Sequence, residues 1–257
     1  MKNIHTTKLI MKKTTLILFI IALLLMLGAC ITNLVDDNTS NLQAKAKLIG
    51  KVIKIYDKYF LVSSSEDETK FSDLYIVSTD FDYDKEKIKP GAIIEIGYDG
   101  TIMESYPAKF GDIKYIKFIE QKDDLVGLYE KVFDKLWETD KGLNMDIDIL
   151  AFDLSKTTNL SEAEKSALIY VLGNKYSLET VSGTFDQLSE QGYIDKENLY
   201  FENGILFSFE VIKESKNSFE FNAQKWRSGK GAYFFNDCTA KKTNNGWDFK
   251  IGGEAIS

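Results

Sequence analysis

The densest group of residues able to do chemistry is Lys225-Trp226-Arg227-Ser228-Gly229-Lys230-Gly231-Ala232-Tyr233, and Arg227 is the only arginine in the chain. A guanidinium fork grips a carboxylate or phosphate through two parallel hydrogen bonds, and Trp226 and Tyr233 could flank whatever it holds. The pattern reads as a strand, a glycine turn carrying Ser228, and a second strand. Trp226, Arg227, Ser228 and Tyr233 are therefore candidates for a ligand or partner site. The competing reading, and the expected one, is an internal Arg–carboxylate bridge with aromatic packing around it. The two glycines do not make a phosphate loop, because the fixed spacing and the following helix N-terminus are missing. Tyr106, in Glu104-Ser105-Tyr106-Pro107-Ala108, is a further candidate. That segment follows a strand and either sets a turn or forms a binding loop.

Other chemistry is thinned out by what the chain lacks. Its single histidine is His5, inside a segment expected to be removed, so no histidine remains for Ser-His-Asp or Cys-His catalysis or for the usual zinc sites. Asp80-x-Asp82-x-Asp84-x-Glu86 opens like a calcium loop but has Lys85 at the sixth position and Gly91 at the twelfth, where glycine and a bidentate acid belong. Asp146, Asp148 and Asp153 could form another carboxylate group, although a wet strand or turn is the plainer reading. No metal and no cofactor is expected. Paired carboxylates could hydrolyse glycosides, but no spacing selects a pair.

The first 29 residues explain where the protein goes: Lys12 and Lys13, then an apolar run from Leu16 to Leu27, then Gly28 and Ala29 before Cys30. That is the basic, apolar, small-residue order of a secretory signal, and the run falls short of the ~20 apolar residues a spanning helix needs. Leu27-Gly28-Ala29-Cys30 resembles the bacterial lipobox, which implies cleavage before Cys30 and acylation of its thiol. The lipoprotein resemblance implies a diacylglycerol, hence the two chains that stable anchoring requires. The expected location is the extracytoplasmic face of a Gram-positive cell membrane, with residues 30–45 as lipidated N-terminus and flexible tether. Removing residues 1–29 takes away four lysines and no acid, so 28 basic side chains face 39 acidic ones, a formal charge of about −11. Such a surface is a poor partner for nucleic acid. The helical segment Thr184–Gln191, which could pass for a recognition helix, carries Asp186 and Glu190 and no basic residue.

Two modules must position these residues. Across 46–121 the runs LIGKVIKIY, YFLVSS, DLYIVST, AIIEIGY and IKYIKFIE are of strand length and rich in Ile, Val and Tyr, with turn signals at Asp57-Lys58, Lys89-Pro90-Gly91 and Asp99-Gly100. Five strands in so short a span predict a small OB-like β-barrel. GKVIKI and GAIIEIGYDGTIMESYPA resemble the YobA-like family of extracytoplasmic domains; the resemblance implies an OB-like barrel and an exported setting and no activity.

Residues 122–257 predict an α+β module. Leu125, Leu128, Tyr129, Val132, Phe133, Leu136 and Trp137 recur at helical spacing. Ser161-x-x-Glu164 and Thr184-x-x-Gln187 are capping boxes for two further helices. Then ILFSFEVIK, SFEFNAQKW, AYFFNDCTAKK and WDFKIGG predict a four-stranded antiparallel meander with one wet face and one face on helices. Phe207, Phe209 and Val211 alternate with Leu206, Ser208 and Glu210, and Phe219 and Phe221 with Glu220 and Asn222. This module is similar to uncharacterised lipoproteins of spore-forming bacteria through DLSKTTNLSEAEKSAL and KWRSGKGAYFF. The expectation is a non-enzymatic, lipid-anchored binding or interaction protein, its partner a protein or small molecule. The alternative is a carboxylate-dependent hydrolase of wall glycan or another exported polymer.

Overall fold

The computed structural model describes residues 44–65, 71–80 and 83–257. Cys30 and the acyl anchor it is expected to carry lie outside them. Among the described residues the architecture is mostly β with three α-helices, a mixed α+β arrangement. The first sheet contains β1 (Ala46–Ile55), β2 (Tyr59–Ser64), β3 (Leu74–Ser78), β4 (Ala92–Tyr98), β5 (Ile102–Met103), β6 (Ala108–Phe110) and β7 (Ile113–Gln121) in the order β5-β6-β3-β2-β1-β4-β7. The five strands expected here are seven. The two additions are two and three residues long, too short to show an alternating pattern. β6 runs parallel to β3 on one flank and β7 antiparallel to β4 on the other, yet only Gly111 and Asp112 separate them in the chain. The sheet therefore curls until its flanks approach. A Cβ on Gly111 would come within 2.7 Å of the Asp99 carboxylate and 2.9 Å of Thr101 Cβ, so this corner favours glycine.

Helix α1 (Leu125–Glu138) starts on Asp124, whose carboxylate accepts from Gly127 N at 2.8 Å, and it buries Val126, Leu128, Tyr129, Val132, Phe133 and Leu136. Strand β8 (Ile149–Asp153) leads through α2 (Glu162–Tyr176) to β9 (Glu179–Ser182), which lies parallel to β8. The capping boxes of α2 and of α3 (Phe185–Glu190) both form as their sequences predict. β10 (Gly204–Ser215), β11 (Ser218–Ser228), β12 (Gly231–Thr243) and β13 (Gly246–Lys250) make the expected antiparallel meander. The sheet is nonetheless wider than four strands. β14 (Gly253–Ile256) pairs with β12, and β8 joins β10 in parallel, giving β13-β12-β11-β10-β8-β9. ILAFD and ETVS are too short to reveal a parallel βαβ crossover, which the intervening capped helix makes possible.

Helices α1 and α2 lie between the two sheets, whereas α3 packs on the far face of the second. Ile53, Leu61 and Leu74 of the first sheet share one buried cluster with Tyr129 and Phe133 of α1, Leu168 and Leu172 of α2, and Phe207, Phe209 and Phe221 of the second sheet. A separate cluster around Phe60, Val62, Tyr75 and Ile94 fills the interior of the curled sheet. Ion pairs frame the contact. Lys51 reaches Glu164 at 2.6 Å, and Glu130 takes Lys54 at 2.7 Å and Lys175 at 3.0 Å. Among the described residues no helix is long and apolar enough to cross a membrane.

Candidate functional site

Arg227 and Lys225 point at loop backbone. The chain leaves α1 through the 3₁₀ turn Lys141–Asn144, and Asp140 and Asp146 on either side of it adopt left-handed backbone with φ of 46° and 53°. That conformation is costly for residues other than glycine, and it turns several carbonyls toward the end of β11. Lys225, fully buried, donates to the carbonyls of Thr139 and Asp140 and to Asn144 Oδ1, the last two at 3.0 Å. Burial pulls its ammonium down to about 8, while Asp140 and Glu138 act in the opposite direction. Arg227 donates to Leu143 O at 3.2 Å, Met145 O at 2.5 Å, Asp146 O at 3.5 Å and Glu202 O at 3.1 Å. The expected Arg–carboxylate bridge is thus a set of bonds to backbone carbonyls. Both cations complement the negative end of α1 and the turn beyond it.

The other residues of that sequence cluster separate. Trp226 faces the opposite side of β11, where its ring meets Phe185 of α3 edge-on at 5.1 Å and packs against a buried group of Ala151, Leu188, Phe201 and Leu206. Ser228 Oγ accepts from Lys230 N at 3.3 Å and shapes the turn. Tyr233 sits across from Lys225 on β12 and donates its hydroxyl to Glu254 at 2.5 Å. Tyr106 lies in the bend between β5 and β6, 62% exposed, its ring roughly perpendicular to that of Tyr170 of α2 at 6.1 Å. Asp148 and Asp153 bracket β8, which at about 3.3 Å per residue puts their backbones about 16 Å apart. The trio with Asp146 therefore does not converge. Asp82 of the acidic loop lies outside the described residues; Asp84 caps its own turn by accepting from Glu86 N and Lys87 N at 3.1 and 3.2 Å. Among the described residues no cluster of acids and cysteine could hold a metal ion. Cys238 is buried in β12, and burial raises its thiol to about 11.

What the fold does bring together is a polar patch on the outer face of the second sheet. Pairing registers place Asp153 of β8 opposite Ser208 of β10, Ser208 opposite Gln224 of β11, and Gln224 opposite Phe234 of β12. Side chains alternate faces along a strand, so these four form one row across four strands. The next row holds Glu210 opposite Asn222, with Asn236 beyond it and Lys156 from the loop after β8. The row on the other side, Ala151, Leu206, Trp226 and Ala232, is apolar and roofed by α3. The two polar rows line a cleft of about 180 Å³.

Several of these groups already have protein partners. Asp153 Oδ1 accepts from Ser155 N at 3.1 Å and from Ser155 Oγ at 2.6 Å. Glu210 pairs with Lys156 at 2.9 Å, and Asn222 Oδ1 accepts from Asp237 N at 3.0 Å across a bulge. The side chains of Ser208, Gln224 and Asn236 have no hydrogen-bond partner among the described residues. The strands crossing the cleft are all interior to the sheet, so their backbone groups are committed to the ladder and the free valences are those of side chains.

The alternation in the sequence places Ser208 and Glu210 on one side of β10 and Asn222 on one side of β11. It does not single out Gln224, Phe234, Asn236 or Lys156. The only signal was alternation, and alternation says which residues share a face but not which strands lie side by side. No family model, no curated protein and no solved structure matches the chain.

Proposed function

We propose a non-enzymatic binding protein, held to the extracytoplasmic face of a Gram-positive cell membrane through a lipidated Cys30, which takes its ligand on the outer face of the second sheet. The observation that carries the reading is the pair of polar rows with Ser208, Gln224 and Asn236 unpartnered. A folded protein normally satisfies or hydrates such groups, and a row of them in a concavity is where a ligand gains directional bonds. Lipidation at Cys30, the tether over 30–45 and the exported setting rest on the lipobox and on the YobA-like resemblance. The course of β6 and β7, parallel to β3 and antiparallel to β4, is what favours an OB-like path for the first module, with seven strands in place of five.

The test uses the full chain in detergent micelles, immobilised and challenged with a solubilised digest of Gram-positive wall glycan and peptide. Material retained by the wild type and released by Gln224→Ala/Asn236→Ala, with unchanged melting of that variant, supports the reading. Equal retention by both proteins contradicts it. One observation favours the hydrolase alternative: Asp153 and Glu210 line the same cleft. That alternative requires product to accumulate in the digest and to disappear with Asp153→Asn or Glu210→Gln, whereas the binding reading requires none.

A further inference from the structure

We infer that the ligand unit seated in this cleft is a neutral polyhydroxylated ring, a single sugar residue of a glycan, with the remainder of the chain lying outside. The inference rests on the binding reading above and adds the ligand's chemistry to it. Size is the first argument. About 180 Å³ is well below the range of about 300–1,000 Å³ usual for sites that engulf a whole ligand. The cleft therefore has room for one small unit of a longer molecule.

The second argument is the mixture of valences. Gln224 and Asn236 each offer an NH₂ donor and a carbonyl acceptor, Ser208 both donates and accepts, and Asp153 and Glu210 accept only. Neighbouring ring hydroxyls, each a donor and an acceptor, satisfy such a set. A phosphate does not, because two carboxylates face it and the one cation, Lys156, is already paired with Glu210 at 2.9 Å. Phe234 supplies the third argument. It is half-buried in the first row, between Gln224 of β11 and Ala255 of β14, and no aromatic ring among the described residues packs on it, so it is the apolar group of the cleft against which the C–H side of a sugar ring would lie. An apolar ligand would cover the amides and carboxylates without giving them partners, which costs more than it gains. An extended peptide, which is commonly captured by main-chain pairing to a sheet edge, finds no edge in a cleft crossed only by interior strands.

The experiment is a set of saturation-transfer NMR titrations of the full chain in detergent micelles. The probes are N-acetylglucosamine, glucose, glucose 6-phosphate and tri-alanine. The expected result is saturable binding of at least one neutral sugar in the millimolar range, at least tenfold weaker for the phosphorylated sugar. Gln224→Ala should weaken neutral-sugar binding about tenfold, and Phe234→Ala should abolish saturation transfer to the ring C–H protons. Absence of saturable sugar binding, or binding unaffected by both variants, overturns the inference. Tri-alanine binding that is lost in Gln224→Ala also overturns it, while leaving the polar face standing as the binding site. If the wall-digest retention likewise ignores Gln224 and Asn236, the binding reading falls with it.

Discussion

Arg227 and Lys225 show how much one side chain can organise. Between them they donate to six backbone carbonyls and one side-chain amide of the segments 139–146 and 202, closing the exit from α1 against the end of β11. Removing the fork leaves four carbonyls unpaired or hydrated where the loop was held. Arg227→Ala is therefore expected to cost about 2–3 kcal/mol and lower the melting temperature by about 5–10 °C. Arg227→Lys should recover little, because one ammonium cannot span the reach from Leu143 and Met145 to Glu202. Differential scanning calorimetry of the two variants decides the matter; a melting temperature within a degree of wild type would show that these bonds do not hold the turn. By contrast, Gln224 and Asn236 have no protein partners to lose.

At the scale of elements, the contact between the first sheet and the helices depends on charge as well as on apolar packing. Glu130 of α1 stands between Lys54 of β1 and Lys175 of α2, and Lys175 also meets Asp134, which accepts from the Tyr176 hydroxyl. Burial alone would raise the Glu130 carboxyl, but the bonds from Lys54 and Lys175 outweigh it and hold the group below its ordinary value. A carboxyl depressed in the folded state contributes stability that is fully present above its unfolded value and is lost as pH falls through the folded one. Melting temperatures recorded in steps from neutral pH into the acid range should fall steeply below the ordinary glutamate value. Glu130→Gln should lower stability at neutral pH and flatten that acid limb; an unchanged slope would show that the triad is not coupled to folding.

The elements themselves were legible in uneven measure. The strongly periodic α1, the two capping boxes and the hairpins of the meander announce themselves, because each depends on residues within a few positions of one another. β5, β6, β8 and β9 do not, because strands of two to five residues carry too little pattern. The polar face was only half readable for the same reason: Ser208 and Gln224 are neighbours through register, a long-range property, whereas the Trp-Arg-Ser cluster drew notice through adjacency and proved to be split between two faces of one strand.

Across the whole molecule, the segments 46–121 and 122–257 share a core in which Ile53, Leu61 and Leu74 meet both helices. Units that bury residues in common unfold together when the shared contact is large compared with what each retains alone. Calorimetry should accordingly show one transition, with equal calorimetric and van't Hoff enthalpies. Leu61→Ala, which opens a cavity at the junction, should cost about 2–5 kcal/mol and shift that single transition as a unit. Two resolved transitions, only one of them moved by Leu61→Ala, would mean that the sheets melt independently. In the folded molecule, the second sheet turns its apolar face to the helices and its polar rows to solvent.

The central claim is that those polar rows, and not the Trp226–Tyr233 turn, receive the ligand. The most direct measurement is a proton–nitrogen correlation spectrum of the full chain in micelles, with side-chain amide and indole signals assigned, recorded as wall digest is titrated in. The account predicts saturable shifts of the Gln224 and Asn236 side-chain amides while the Arg227 guanidinium signal stays in place. Shifts confined to Arg227, Ser228 and the turn beyond them, with Gln224 and Asn236 unmoved, would contradict it.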